Sequence, residues 1–394
     1  MKTIYKYILF IAITAIAVMV NFSCSESEDE APYILYVRVP NPVQKDSLLV
    51  AATQGQLIAI MGGNLQNTRE VWFNDQKAVV NQGWITNKSV MVNVPTEVPD
   101  EVTNQLKLIF ADGNSLFHDF RVAISKPVVD NMYCEYVKVG DNAIINGNYF
   151  YPPVSVTFPG GFVASSEDGT VSINDENTIL TVKVPQGATE SGQITVTTNF
   201  GSMQSNFWFL DNRNIFQGFS FEENTSDPEK PWGELGTNDG VIIDDPGEND
   251  PPLINGNYMR MIFNEATWWR QLFCNWNYGF EIPKDAILNP KNYNYKFEVC
   301  TTLPFNGSQV HLWVTDMAAQ NNPNFFAWSP PFDSKGVWTT IVIPLDDIAS
   351  AEGNGWPGVQ AEGGYFCGIV FAGASRLDCN MSFDNFRIVP KSLK

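Results

Sequence analysis

Two adjacent tryptophans, Trp268 and Trp269, are the residues of this sequence best suited to bind a ring-shaped ligand. A sugar ring has an apolar C–H face and a rim of hydroxyl groups, so a protein binds it by stacking aromatic rings and supplying polar partners. Side chains alternate along a β-strand, and adjacent rings therefore cannot both enter one hydrophobic core. Arg270 and Gln271 follow directly and offer partners for hydroxyl groups. The pair predicts an exposed stacking surface; the alternative is one ring plugging a sandwich end while the other packs on a loop.

Three further tryptophans are candidates for the same chemistry. Trp232 and Trp328 lie in proline-rich segments that predict loops, where each ring either meets a ligand or anchors its loop. Trp313 shares one side of a predicted strand with His311 and Thr315, and the other side is apolar. The polar side predicts an aromatic binding surface, or else a tryptophan at a sheet edge that a loop covers.

Catalytic and metal-binding motifs are scarce. The chain has two histidines, His118 and His311, and no nucleophile elbow, His-Glu-x-x-His or phosphate-cradling glycine loop. Glycoside hydrolysis needs two positioned carboxylates, but 43 acidic residues make chance pairs unavoidable. The segment 244–250, or Glu222 with Asp384, offers oxygen ligands for a structural Ca²⁺, whereas a solvated acidic loop is the commoner outcome. We therefore predict no catalytic residue and no cofactor, with structural Ca²⁺ left open.

Length and charge narrow the classes of protein further. At about 150 residues per domain, 394 residues predict two or three domains. A formal net charge of −19 argues against nucleic acid as a partner, because phosphate binding requires clustered lysines and arginines. The 11 Trp, 27 Phe and 13 Tyr make aromatic residues abundant, which together with the charge indicates an acidic, β-rich protein.

The first 23 residues predict a secretory signal. Two lysines precede the apolar run 8–20, which is too short to span a bilayer. Ser23-Cys24 at its end resembles a bacterial lipobox, in which Cys24 is the lipidated first residue; an ordinary cleaved signal is the alternative. The acidic segment 24–31 predicts a solvated tether and resembles the export signal of Bacteroidetes surface lipoproteins. We expect a lipoprotein of the outer membrane that is exposed at the cell surface.

The remaining cysteines do not form a disulfide or metal-binding pattern. None lies in a C-x-x-C pair, their number is odd, and most are flanked by strand-like residues. They predict buried free thiols at Cys134, Cys274, Cys300, Cys367 and Cys379.

Two segments of the chain repeat one pattern of motifs, about 84 to 90 residues apart. The matched pairs are Gly63-Asn64-Leu65 with Gly147-Asn148-Tyr149, Val94-Pro95 with Val184-Pro185, and Asp112-Gly113 with Phe200-Gly201. Each segment alternates short apolar runs with Gly, Asn and Pro, which predicts a small β-sandwich. The order of motifs resembles the immunoglobulin-like TIG (IPT) domain, with boundaries at 32–125 and 126–211. We expect both domains to act as rigid spacers.

The segment 212–394 has a different composition and holds eight of the eleven tryptophans. Its candidate strands are Phe216–Phe221, Tyr258–Phe263, Gln271–Trp276, Tyr293–Thr301, Val310–Thr315, Trp338–Ile343, Tyr365–Phe371 and Met381–Val389. About eight strands in this length predict a two-sheet jelly roll, and its end segments resemble those of carbohydrate-binding jelly rolls. The predicted fold class is all-β: two tandem TIG/IPT sandwiches followed by a β-jelly-roll.

The whole layout resembles the surface glycan-binding protein B family of Bacteroidetes polysaccharide-utilisation loci. The shared features are the lipid cysteine, the acidic tether, tandem TIG-like domains and a Trp-rich C-terminal sandwich. In that family the last domain carries the glycan site, formed mainly by stacked aromatic rings. The resemblance implies that the glycan-binding residues are Trp232, Trp268 and Trp269, followed by Arg270, Trp313 and Trp328.

The resemblance also implies a function. It indicates non-catalytic binding of a β-glucan (a mixed-linkage or β-1,3-glucan, or xyloglucan) at the cell surface. The implied partners are a surface endo-glycosidase and a TonB-dependent importer. Two alternatives stay open: a glycoside hydrolase or lyase acting on the same glycans, and an adhesin that binds proteins.

Overall fold

The structure, a computed structural model, describes residues 31–41, 47–220, 240–266, 270–274, 279–307, 309–319, 325–351, 355–359, 364–372 and 377–391. The chain divides into two compact units, Met1–Ile124 and Ser125–Lys394. Helices in the described ranges are all too short or too polar to cross a membrane. The predicted signal peptide and Cys24 lie outside these ranges.

The first unit contains one β-sandwich, the first sandwich. Its strands are β1 (Tyr33–Arg38), β2 (Ala51–Thr53), β3 (Leu57–Gly63), β4 (Thr68–Phe73), β5 (Gln76–Lys77), β6 (Ser89–Asn93), β7 (Gln105–Phe110), β8 (Ser115–Asp119) and β9 (Arg121–Ala123). They form sheets of order β1-β3-β6 and β5-β4-β7-β8, and β2 pairs with β9 in parallel. Alternation along β3 and β7 buries Ile58, Ile60, Leu106 and Leu108 completely, and these residues form the core between the sheets.

The second unit begins with a similar β-sandwich, the second sandwich. Its strands are β10 (Val128–Met132), β11 (Asn142–Asn148), β12 (Ser155–Thr157), β13 (Val163–Ser165), β14 (Val171–Ile173), β15 (Ile179–Lys183), β16 (Thr195–Thr198) and β17 (Gly201–Gln204). The sheets have the order β10-β11-β15-β14 and β13-β12-β16-β17. Buried Ile145, Leu180, Val156 and Val196 meet between them.

The first and second sandwiches share a strand-end turn that requires glycine. Its residues correspond with a shift of one position from the pairing of Gly63 with Gly147 that the sequence motifs predict. A Cβ on Gly62 or on Gly147 would lie 1.9 Å from a backbone oxygen of the neighbouring strand, so both positions require glycine. Asn64 and Tyr149 follow with φ of 58° and 60°. Gly62 therefore corresponds to Gly147, and Asn64 corresponds to Tyr149.

The remainder of the second unit is a larger β-sandwich, the C-terminal sandwich. Its elements are β18 (Ile215–Gln217), β19 (Val241–Ile243), β20 (Tyr258–Ala266), β21 (Arg270–Cys274), α1 (Lys284–Leu288), β22 (Tyr293–Thr301), β23 (Gln309–Asp316), β24 (Phe325–Trp328), β25 (Thr339–Pro344), α2 (Leu345–Ala349), β26 (Tyr365–Ala372) and β27 (Leu377–Pro390). One sheet has the order β19-β20-β27-β22-β25, with β18 beside β27, and the other has the order β21-β26-β23-β24. The all-β fold class predicted from the sequence is confirmed.

Aromatic rings fill the core of the C-terminal sandwich. Phe386 stacks on Phe297 with centroids 5.1 Å apart, and Phe273 meets Phe386 edge-on at 5.2 Å. Val310 and Leu312 of the opposite sheet are fully buried in the same cluster. Each of the three sandwiches therefore has its own core among the described residues. The ranges 32–125, 126–211 and 212–394 remain our proposal for the domains.

Two strands of the C-terminal sandwich were not expected from the sequence. Every strand predicted there has an observed counterpart, but β19 and β24 are additional. The segment that becomes β24 is rich in Asn and Pro on both sides and therefore predicts a loop. The prediction was wrong because β24 pairs along β23, with His311 opposite Ala327.

The second sandwich docks on one side of the C-terminal sandwich through buried charges. Lys296 and Glu298 alternate along β22 with core residues and so lie on the side of the sheet away from the core. Arg387 of β27 is fully buried and donates to Glu298 at 2.8 and 2.9 Å and to Glu135 of the second sandwich at 2.7 Å. Lys296 donates to the second oxygen of Glu135 at 2.6 Å, and Asp211 lies 3.9 Å from Lys296. We call these five residues the ion network.

The ion network holds the second sandwich and the C-terminal sandwich in one relative orientation. Burial raises the pKa of Glu298, although the guanidinium of Arg387 opposes this. Burial works against the charge of Arg387, but Glu298, Tyr136 and Glu135 outweigh it and hold the pKa of Arg387 well above its usual value. Because the second sandwich covers one sheet of the C-terminal sandwich, the uncovered side belongs to the other sheet, β21-β26-β23-β24.

We expect Glu135→Gln to destabilise the second unit strongly. The amide keeps the shape of the side chain but removes the negative charge between Arg387 and Lys296, and breaking a buried pair costs about 3–5 kcal/mol. Urea unfolding followed by tryptophan fluorescence measures the change in midpoint.

The control for this substitution is Glu70→Gln in the first sandwich. Glu70 pairs with Lys77 at 2.6 Å, but both side chains are solvent-accessible, and we expect little change. Equal midpoints for the two variants would contradict a structural role for the ion network.

Candidate functional site

The candidate site is the side of the β21-β26-β23-β24 sheet that faces away from the C-terminal core, which we call the outer face. Along β23, Val310, Leu312 and Val314 enter the core, as predicted from their alternation. His311 and Trp313 therefore belong to the outer face.

An aromatic pair on the outer face is accessible to solvent. The rings of His311 and Phe325 stack in parallel, with centroids 3.9 Å apart and planes 7° apart. They come from the adjacent strands β23 and β24, where Phe325 lies diagonally across from His311. The Phe325 side chain is 38% exposed, and Gln309 lies 3.4 Å from the imidazole. The exposed part of this pair gives an apolar aromatic surface beside an amide, an arrangement suited to contact with a sugar ring.

Burial sets the protonation of the imidazole in this pair. Removal from water lowers the pKa of His311 below its usual 6.5. The ring is therefore neutral at pH 7, and the stacking surface carries no charge there.

Trp313 lies on the predicted side of its strand but does not form an open surface. Its side chain is only 2% exposed. The indole stacks on Phe366 with centroids 5.7 Å apart and belongs to a small buried cluster with Cys274 and Val370. The expectation of an exposed ring at Trp313 is corrected, because neighbouring strands of the same sheet supply apolar partners that enclose it.

Trp328 is also placed differently from the prediction. It lies in β24 rather than in a loop, opposite Val310, so its ring points to the core side of the sheet. The indole packs edge-on against Phe297 at 5.5 Å and contacts Phe305 at 5.5 Å. Trp328 is a half-buried core contact in this structure.

Arg270 and Gln271 begin β21 at the opposite edge of the sheet. Arg270 pairs with Phe371, a core residue, whereas Gln271 pairs with Val370 of the outer face. Adjacent residues thus take opposite sides of the sheet. Trp232, Trp268 and Trp269 lie outside the described residues, and Trp269 is covalently attached to the start of β21.

Two residues of the outer face were missed at the sequence level. The proline-rich segment that contains Phe325 predicts a loop, and no sequence motif singles out Gln309. The pattern of β24 offers a signal that could have found Phe325. Phe326 and Trp328 alternate with Phe325 and Ala327, which is the period of a strand with one buried side.

Acidic and sulfur groups of the described residues do not assemble a metal centre. No cluster of three or more His, Cys, Asp or Glu suited to a metal occurs there. In the predicted acidic loop, Asp250 forms an ion pair with Arg260 and accepts from the Gly247 amide at 2.9 Å. The partner proposed for Asp384, Glu222, lies outside the described residues.

The cysteine prediction agrees with the structure. None of the five described cysteines forms a disulfide, and all five are buried. Burial raises the pKa of the Cys300 thiol to about 11, so it is protonated and unreactive at pH 7.

With this geometry in place, comparison with known families is decisive. Residues 209–390 match the family model described as the surface glycan-binding protein B xyloglucan binding domain. The C-terminal part of the chain is therefore similar to this family. The family resemblance predicted from the sequence is confirmed.

Two relatives extend the comparison. An IPT/TIG domain-containing protein of Bacteroides ovatus is 25% identical over 217 residues, covering 50% of this chain. The chain spans 44% of the length of that curated relative. The crystal structure of a surface glycan-binding protein B of Prevotella bryantii has a TM-score of 0.67 at 21% identity, covering 92% of this chain and 99% of that one. This likeness shows that the fold is shared.

We expect His311 to titrate below pH 6.5 and to depend on its stacking partner. Phe325→Ala opens the imidazole to water, so the pKa of His311 should rise toward 6.5. The pKa of His311 is lower in the folded protein than in the unfolded chain. The free energy of unfolding should therefore decrease as the pH falls from 6.5 to the folded pKa, and His311 should not affect it well above pH 6.5.

Nuclear magnetic resonance of the histidine ring carbons checks both statements, with His118→Gln used to assign the signals. A native pKa at or above 6.5, or the same value in Phe325→Ala, would show that the stack does not bury the imidazole.

Proposed function

We propose that this protein binds a β-glucan non-catalytically at the cell surface, through the outer face of its C-terminal sandwich. The match of residues 209–390 to a glycan-binding domain family carries the proposal. Because that family is described by its binding of xyloglucan, we place xyloglucan first among the β-glucans, before mixed-linkage and β-1,3-glucans.

The structure supports the location of the site. The second sandwich occupies the far side of the C-terminal sandwich, and the open His311–Phe325 pair lies on the outer face. We propose that Trp268 and Trp269, which precede β21, extend this aromatic surface together with Trp232. Gln309 then provides an amide for hydroxyl groups. We leave Arg270 out of the proposed surface, because its strand partner Phe371 is a core residue.

The expected affinity is moderate. Each aromatic stacking contact contributes about 0.5–1.5 kcal/mol beyond the area that it buries. Two or three such contacts lead to dissociation constants in roughly the micromolar to millimolar range. Attachment of many copies to one surface compensates, because a long glucan engages several sites at a high effective concentration.

Anchoring and partners form the wider part of the proposal. Lipidation at Cys24 would hold the protein on the outer membrane, with the acidic segment as a tether. The first and second sandwiches would act as spacers. A surface endo-glycosidase and a TonB-dependent importer would use the captured glucan.

Affinity electrophoresis in gels containing xyloglucan, mixed-linkage glucan or β-1,3-glucan tests the proposed function. We expect retardation by at least one β-glucan and no release of reducing sugar from any of them. Release of reducing sugar would identify a hydrolase, and the same migration in all gels would favour a protein-binding adhesin.

We expect Phe325→Ala to weaken glucan binding about two- to tenfold, because it removes one stacking contact. Trp268→Ala and Trp269→Ala should weaken it at least as much. Isothermal titration calorimetry with a xyloglucan oligosaccharide measures these changes.

Phe117→Ala is the matched control for Phe325→Ala. Phe117 is also an exposed strand phenylalanine, 57% accessible, but it belongs to the first sandwich. Equal affinities for all four variants and the native protein would remove the outer face from the proposal.

A further inference from the structure

A second cleft lies between the second sandwich and the C-terminal sandwich, away from the outer face. Its volume is about 480 Å³, which is large enough for one or two hexose units. Residues of β10 form one wall, and residues of β22 and β25 form the other. We call it the polar cleft.

Lys296, whose side chain is buried, is one of the residues that line the polar cleft. Lys296 is 4% exposed, and its Nζ donates one hydrogen bond, to Glu135 at 2.6 Å. Asp211 lies 3.9 Å from the same Nζ, close enough for an ion pair but too far for a hydrogen bond, so two of the three N–H donors of the ammonium have no hydrogen-bond acceptor among the described residues. Buried polar groups are normally satisfied, which indicates that water or a ligand oxygen completes this site.

The other lining residues offer neutral polar groups beside an apolar strip. Asn131, Asn206, Asn294 and Thr339 supply amide and hydroxyl groups. Val342 lies opposite Lys296 on the adjacent strand, on the same side of the sheet, and is 47% exposed. Amides that face an apolar patch match the hydroxyl rim and the C–H face of a sugar.

The charges of the polar cleft disfavour an ionic ligand. Lys296 is neutralised by Glu135, and Lys391 pairs with Asp346 at 2.9 Å. The remaining charged residue of the lining is the exposed Asp130. A carboxylate or phosphate would meet no uncompensated cation there.

We propose that the polar cleft is a second saccharide site, which binds one or two neutral hexose units of the same glucan. The choice of a saccharide rests on the proposed function. The evidence for the site is the buried Lys296, the amide side chains that line the cleft, and the volume of the cleft. The ion network fixes both walls, so the cleft is preformed and binding requires no domain movement.

Methyl nuclear magnetic resonance with cellotetraose as the probe tests this site separately from the outer face. The methyl groups of Met132 and Val342 report on the two walls of the polar cleft. The methyl group of Ala327, opposite His311, reports on the outer face. We expect all three signals to shift in the native protein, with one dissociation constant for the cleft pair and another for Ala327.

Val342→Trp fills the polar cleft. It should raise the dissociation constant measured at Met132 at least tenfold and leave the dissociation constant measured at Ala327 unchanged. The matched control is Val241→Trp, since Val241 is an exposed valine, 65% accessible, on β19 at the opposite edge of the same sheet. This control should bind like the native protein.

Each outcome of the experiment separates the two proposals. Shifts at Ala327 alone would overturn the polar cleft and leave the outer face standing. Shifts at Met132 and Val342 alone would support the cleft and remove the outer face. Binding of digalacturonate but not of cellotetraose at Met132 would overturn the assignment of a neutral ligand. An unchanged response in Val342→Trp would also overturn the cleft as the site.

Discussion

The guanidinium of Arg387 is the charge around which residues 125–394 are organised. It has no exposed surface, and its two carboxylate partners come from different sandwiches, Glu298 and Glu135. Taking such charges out of water is expensive, so the arrangement is stable only where every partner is in place. The two sandwiches therefore meet in one orientation, which hides one sheet of the C-terminal sandwich and leaves the outer face of the other for a ligand.

This constraint links the fold to recognition. A glucan-binding surface has to be flat and fixed, because the entropy of ordering loops would otherwise reduce an affinity that depends on a few stacked rings. The His311–Phe325 pair meets this requirement, since both rings belong to paired strands rather than to loops. The polar cleft meets it in another way, because its walls are tied together by the ion network beneath it.

Local patterns in the sequence were sufficient for much of the fold. Alternation identified β22 with its observed bounds and placed Val310 and Trp313 on opposite sides of β23. Features that depend on distant contacts were not accessible. Arg387 meets Glu135 across 252 residues of sequence, and Trp313 is enclosed by β26. The repeat was recognised, yet its correspondence was off by one residue, because the need for glycine at Gly62 arises from the neighbouring strand.

The five buried cysteines of the described residues form no disulfide, which has a practical consequence for handling the molecule. A fold that contains no cross-link at these positions does not need an oxidising compartment to form it, so residues 31–394 should fold when they are produced in a reducing cytosol. The same thiols become reactive only when the sandwiches open, since burial keeps them protonated and shielded. The rate at which these cysteines are alkylated therefore reports the rate at which each sandwich that carries them opens.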